Sequence, residues 1–141
     1  FDAVFLNGNS ANLKKIENQI KKINLNIKIF KTFYKISNIQ KYNLESKYLI
    51  FSGIGNPSDF KDILLANKFN VVREIVFPDH YKYNLNDLEK IQNTAKNEKL
   101  KIITTEKDFM KIPEKFKKEI DFLAIELVIQ DEKKLIDLLI K

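Results

Sequence analysis

Tyr48-Leu49-Ile50-Phe51-Ser52-Gly53-Ile54-Gly55-Asn56-Pro57 is a short apolar run that breaks into glycines and then into a helix start. An apolar segment of this length, bounded by glycine, reads as a strand buried on both faces. Asn56 suits an N-cap. Pro57 suits the first helical position, because its ring presets φ and its missing N–H would have had no intrahelical partner. Phe60, Ile63 and Leu64 give the helix an apolar face. A buried strand, a glycine turn and an amphipathic helix make half of a β-α-β unit.

The same alternation continues downstream. Residues 71–77 read as a strand closed by Pro78-Asp79-His80. A helix opens near Asn84 or Asn86; Asn86 and Glu89 have capping-box spacing, and Leu88, Ile91 and Ala95 supply its stripe. Residues 100–104 read as a strand, 105–112 as a short helix and 113–119 as a further turn or two. Residues 122–129 read as a strand and 131–140 as a closing helix with Leu135, Leu138 and Leu139 on one side. Upstream, residues 1–7 read as a buried strand. Leu13, Ile16, Ile20 and Ile23 fall at helical spacing, a stripe that reads as core packing. Residues 26–36 read as a long strand whose alternation changes phase near Phe30, which predicts a bulge or bend. Residues 37–47 are polar and aperiodic, a loop or linker. The predicted fold class is α/β: a mainly parallel, Rossmann-like sheet with right-handed crossovers and helices on both faces.

Composition bounds the function classes. The 141 residues include no cysteine, which excludes a disulfide framework, a thiolate metal site and a cysteine nucleophile. A hydrophobic share of 44% is that of a chain with a core. Neither a membrane-spanning run nor a signal-peptide pattern is present in the sequence. The net charge of +6 favours anionic partners, yet Arg73 is the only arginine, so the bidentate fork that reads guanine or clamps phosphate is nearly missing. No nucleic-acid motif accompanies the lysines and aromatics of residues 14–35, and nucleic acid is not an expected partner. The chain opens on Phe1, inside a strand, which reads as a fragment of a longer protein.

In a parallel sheet ligands bind at the carboxyl ends of the strands. Three polar clusters follow strand ends here: Gly53-Ile54-Gly55-Asn56, Asp79-His80, and Thr104-Thr105-Glu106-Lys107-Asp108. Gly53 and Gly55 either let the backbone approach a phosphate at a helix N-terminus or simply make a tight turn. No Gly-x-x-x-x-Gly-Lys-Ser/Thr sequence occurs, so the chain is not a self-sufficient P-loop kinase. His80, the only histidine, is either a packed residue or a near-neutral base that accepts a proton or orients a carboxylate. One histidine beside one carboxylate is too thin a donor set for zinc, and no metal site is expected. Thr104 or Thr105 can cap a helix with Glu106 in its first turn, while Lys107 and Asp108 can neutralise a phosphate or assist a base. Tyr81 and Tyr83 either line a sugar or lipid groove or sit at the core boundary.

Taken in order, Phe51-Ser52-Gly53-Ile54-Gly55-Asn56-Pro57, Phe77-Pro78-Asp79-His80-x-x-Tyr83 and Thr104-Thr105-Glu106-Lys107-Asp108 resemble the C-terminal half of the tetraacyldisaccharide 4'-kinases, the lipid A kinases of Gram-negative bacteria. Asp2-Ala3-Val4 through Asn7-Gly8 resembles the strand at the end of that family's kinase core. The resemblance spans essentially the whole chain. It implies residues 1–47 as the end of the kinase core with a linker, and residues 48–141 as a C-terminal α/β lobe. It also implies transfer of the γ-phosphoryl group of ATP, with Mg2+, to the 4'-hydroxyl of tetraacyldisaccharide 1-phosphate, an anionic lipid A precursor. ATP and magnesium would be held mainly by an N-terminal P-loop half that this chain lacks, leaving the chain alone inactive. His80 and Asp79 would be catalytic, with His80 pairing with an aspartate of the other half. Gly53, Gly55, Asn56, Thr104, Thr105, Glu106, Lys107 and Asp108 would line the cleft for nucleotide or substrate. The implied location is the cytoplasmic face of the inner membrane, in peripheral contact. The chain departs from the family at Tyr81, where a second histidine is common. The alternative reading is a stand-alone nucleotide- or sugar-phosphate-binding α/β module.

Overall fold

The computed structural model describes residues 2–7 and 10–140. Phe1 and Gly8, read above with the first strand, lie outside the described residues. The chain forms two compact units, residues 36–124 and residues 1–35 with 125–141. This partition differs from a division at residue 47/48, because the C-terminal segment joins strands near the N-terminus.

The larger unit is a four-stranded sheet in the order β4-β3-β5-β6, built from β3 (Lys47–Ser52), β4 (Asn70–Val76), β5 (Lys101–Thr105) and β6 (Ile120–Leu123). All three pairings are parallel. Helix α2 (Pro57–Ala66) joins β3 to β4, α3 (Leu85–Glu98) joins β4 to β5, and the short α4 (Glu106–Phe109) and α5 (Glu114–Lys117) join β5 to β6. The steps β3→β4 and β4→β5 run in opposite directions across the sheet. Right-handed crossovers therefore place α2 and α3 on opposite faces. Each face has its own core. Leu49, Phe51 and Ile102 pack with Leu88, Ile91 and Ala95 of α3 and with Ile112, Phe116 and Ile120. On the alternate positions Tyr48, Ile50 and Ile103 are at most 1% exposed, and the Tyr48 and Phe69 rings lie 5.3 Å apart. Truncating Leu88 or Ile91 would cost about 2–5 kcal/mol by cavity formation.

Local chemistry sets the element ends. Pro57 opens α2, and Asn56 occupies the N-cap position, but its side chain makes no capping bond. Its Nδ2 donates to Asp59 Oδ2 at 2.7 Å, and its Oδ1 accepts from Ser58 Oγ at 2.8 Å. Helix α3 begins at Asn84, not Asn86: Asn84 and Asp87 form the reciprocal capping box. Asn86 and Glu89 have the same spacing, but they fall inside the helix. Along the strand that holds Phe30, described below, the register past Phe30 is unbroken; a register irregularity does lie between β3 and β4, where the pairing skips Val72. An edge strand such as β4 tolerates that extra residue. The segment expected as one strand over 122–129 is two strands, β6 and β7 (Ile125–Ile129), belonging to different sheets and separated at Ala124. Asn38 clips this break: its Nδ2 donates to the Phe122 carbonyl at 2.9 Å and its Oδ1 accepts from the Ala124 N–H at 3.0 Å.

In the smaller unit β1 (Ala3–Asn7), β2 (Lys28–Ile36) and β7 form a sheet in the order β1-β2-β7. β1 and β2 are parallel without a register shift from Lys28 to Thr32. Only Leu6 of β1 is buried, so the first strand is a half-buried edge strand. Helix α1 (Ser10–Ile23) buries Leu13, but its stripe runs out into solvent, with Ile16 41% and Ile23 87% exposed. Helix α6 (Glu132–Leu139) closes the unit.

Candidate functional site

The order β4-β3-β5-β6 has a switch point between β3 and β5, where connections leave in opposite directions and leave a crevice beyond the strand ends. The three polar clusters meet there. Gly53, immediately after β3, donates its N–H to Asp108 Oδ2 at 2.9 Å and accepts the His80 N–H at its carbonyl at 3.2 Å. The strand-end loops of β3, β4 and β5 are thus tied together through one residue.

Gly53 is required by close approach rather than by its φ. A Cβ on it would stand 3.1 Å from the Tyr83 hydroxyl, 3.2 Å from the Pro78 carbonyl oxygen and 3.3 Å from Tyr81 Cβ. Gly55 differs. It is exposed, and a Cβ there would meet only the Asp79 carboxylate, at 3.4 Å. Space for a ligand to approach the backbone therefore exists over Gly55, while Gly53 is filled by protein.

His80 occupies a β-turn closed by the Tyr81 N–H on the Pro78 carbonyl at 3.1 Å. Its φ is +58°, a left-handed conformation that a non-glycine residue adopts at a cost of about 1–3 kcal/mol. Besides the Gly53 carbonyl, its N–H reaches Asp79 Oδ1 at 3.0 Å. The imidazole projects outward with its side chain 74% exposed, and Nε2 lies 3.6 Å from Asp79 Oδ2, too long for a hydrogen bond. The arrangement presents an exposed imidazole beside a carboxylate.

The residues after β5 divide into inward and outward groups. Thr104 is fully buried and donates its hydroxyl to the Phe51 carbonyl at 2.7 Å. Thr105 caps α4: its Oγ1 accepts the Asp108 N–H at 3.1 Å and donates to Asp108 Oδ2 at 2.7 Å. Asp108 is 0% exposed, with Lys111 Nζ 3.7 Å from Oδ1. Glu106 and Lys107 are exposed. The structure thus brings Asp79, His80, Gly53 and Asp108 together, turns Thr104 and Thr105 into the fold, and leaves Glu106, Lys107, Gly55 and Asn56 on the surface.

Beneath the turn lies an aromatic cluster. Tyr81 stacks on Phe77 at 4.8 Å, and Tyr83 meets Phe51 and Phe77 edge-on at 5.5 and 5.1 Å. The Tyr81 hydroxyl donates to Asp87 Oδ2 at 2.9 Å, and this bond holds its phenol above the ordinary range. Asp87 is a site-supporting residue not singled out above; its position three residues after Asn84 was the available signal. The Tyr83 hydroxyl is buried without a hydrogen-bond partner. Burial first, and then the charge of Asp108, push that phenol far up, so neither tyrosine is a base at neutral pH.

Among the described residues no group of three or more His, Asp or Glu side chains converges as a metal site. No helix among them is long and apolar enough to cross a membrane.

The sequence model of the family described as LpxK: Tetraacyldisaccharide-1-P 4'-kinase matches residues 1–141. A tetraacyldisaccharide 4'-kinase of Pelagibacter ubique is 43% identical over 141 residues, covering 100% of this chain and 45% of that protein. A relative of the same name from Gluconobacter oxydans is 31% identical over 96 residues, covering 66% of this chain and 29% of that one. A solved structure, described as the "apo" form of LpxK from Aquifex aeolicus in complex with ATP, superposes with a TM-score of 0.53 at 19% identity, over 97% of this chain and 50% of that one. That likeness shows a shared fold. The chain spans under half the length of the two curated relatives. The chain belongs to the tetraacyldisaccharide-1-P 4'-kinase (LpxK) family.

Proposed function

We propose that this chain is the C-terminal part of a lipid A 4'-kinase, which moves the γ-phosphoryl group of ATP to the 4'-hydroxyl of tetraacyldisaccharide 1-phosphate. The observation that carries this reading is the exposed His80 imidazole, held in a left-handed turn above the switch point of the sheet. Phosphoryl transfer asks for positioning and charge placement rather than covalent chemistry from the protein. His80 would take the proton of the acceptor hydroxyl, directly or by orienting a carboxylate from the P-loop half, with Asp79 stabilising the imidazolium that results. Gly55, Asn56, Glu106 and Lys107 would line the cleft around nucleotide or lipid substrate, and Gly53, Thr104, Thr105 and Asp108 would hold its floor.

Magnesium would enter with ATP. It requires several oxygen ligands in octahedral array. The scattered carboxylates Asp79 and Glu106 do not provide them, so this chain's residues do not fit a magnesium site, and ATP with its metal would be bound mainly by the P-loop half. The charge pattern supports peripheral attachment at the cytoplasmic face of the inner membrane: Ile23 and Leu25 are 87% and 85% exposed among Lys21, Lys22 and Lys28. Basic residues around apolar ones suit an anionic headgroup layer.

The test is phosphoryl transfer to tetraacyldisaccharide 1-phosphate with magnesium-ATP, comparing this chain alone with the chain joined to a P-loop half. Transfer only in the longer protein is the expected result. Transfer in neither would remove the kinase reading and leave a phosphate-binding module in its place.

A further inference from the structure

We infer that Asp108 is a positioning residue for His80, acting through Gly53 without touching any ligand. The inference rests on the role proposed for His80, but its test does not.

The left-handed turn is an unfavourable conformation that has to be held from outside. Two acceptors hold the His80 N–H, the Asp79 carboxylate from within the turn and the Gly53 carbonyl from β3. The turn rests on Gly53 with no room to spare, since the Pro78 carbonyl, Tyr81 and the Tyr83 hydroxyl all stand within 3.3 Å of where a Cβ would be. A displacement of Gly53 would therefore displace the turn. What fixes Gly53 from the other side is Asp108, whose Oδ2 accepts the Gly53 N–H at 2.9 Å.

Asp108 is itself fixed. It is 0% exposed, and the Thr105 hydroxyl donates to the same oxygen at 2.7 Å, closing the first turn of α4. Its Oδ1 has no hydrogen-bond partner, and neither has the buried Tyr83 hydroxyl. A buried carboxylate with an oxygen that lacks a hydrogen bond costs stability. Such a group is retained where its geometry is used. A neutral helix cap alone would need only Thr105. The added carboxylate reaches across from the end of β5 to the end of β3 and, through one residue, to the histidine of β4's loop. Electrostatic attraction to Lys111 at 3.7 Å fixes the outer oxygen only loosely.

The experiment follows the exchange rate of the His80 amide by NMR in the 141-residue chain, where it belongs to the only histidine. Asp108→Ala should accelerate it at least tenfold. Asp108→Asn, which keeps an acceptor oxygen in the same place, should return it to within threefold of the parent. Leu64→Val, in the core packed on the other face of the sheet, lowers stability without touching the network and should leave it unchanged. Should Asp108→Ala fail to fold, Gly53→Ala pushes on the same turn from above and should accelerate exchange to the same degree. Unchanged exchange in the Asp108→Ala protein, or in Gly53→Ala where that one is used, would overturn the proposal. So would equal acceleration by Leu64→Val, or failure of Asp108→Asn to restore the rate. None of these readings depends on kinase activity, so the role of His80 in phosphoryl transfer stands or falls separately.

Discussion

His80 is placed where its backbone works against folding and its side chain works for nothing inside the protein. Its φ of +58° would suit glycine better, and its imidazole makes no hydrogen bond within the 3.6 Å that separates it from Asp79. Replacing it with glycine should therefore raise stability by about 1 kcal/mol, measured by urea unfolding, while abolishing any activity that needs the ring. A loss of stability in His80→Gly would mean that the turn is not strained. Much of this site was legible in the sequence, because glycine, proline and histidine at strand ends have local meaning. The inward turn of Thr104 and Asp108 was not. It depends on β5 lying next to β3, a pairing between residues more than fifty apart that no local pattern reveals.

Among the elements, the links between strands and helices carry the testable energetics. Arg73 on β4 makes a bidentate pair with Glu98 at the end of α3, at 2.8–3.1 Å. The guanidinium bonds hold the Glu98 carboxyl below its ordinary value of 4.5. A carboxylate depressed in the folded state adds stability above its unfolded pKa and loses it as pH falls through the folded value. Glu98→Gln should accordingly flatten the fall of Tm with pH below about 4.5, and the difference from the parent should shrink in high salt. Identical acid limbs in the two proteins would contradict this. The helix and strand types followed from periodicity, since Leu88, Ile91 and Ala95 or the run 48–52 leave little choice. Their ends did not. Asn84 and Asn86 each have a carboxylate three residues on, and the reciprocal capping bonds form at Asn84 and Asp87. The break at Ala124 was hidden because residues 122–129 stay apolar across it, and its marker, Asn38, lies 84 residues away from Phe122 in the chain.

At the level of the molecule, the four-stranded sheet, both of its cores and the whole candidate site lie within residues 36–124. The ends of that segment are held side by side by the Ser37 N–H on the Ala124 carbonyl at 2.9 Å and by the two Asn38 bonds. A protein of residues 36–124 should fold cooperatively alone, with coincident circular dichroism and fluorescence transitions, and Asn38→Ala should lower its stability by about 1–3 kcal/mol. Non-coincident or featureless melting would show that this unit needs the remainder of the chain.

The most direct measurement is phosphoryl transfer by the longer protein proposed above, this chain joined to a P-loop half, with His80 replaced by alanine. A general base or its orienting partner contributes about 10²–10⁴-fold, so turnover should fall by at least about 100-fold with KM for ATP and Tm nearly unchanged. Parental turnover in His80→Ala would contradict the account, for the strained turn at the switch point would then be holding a residue the reaction does not use.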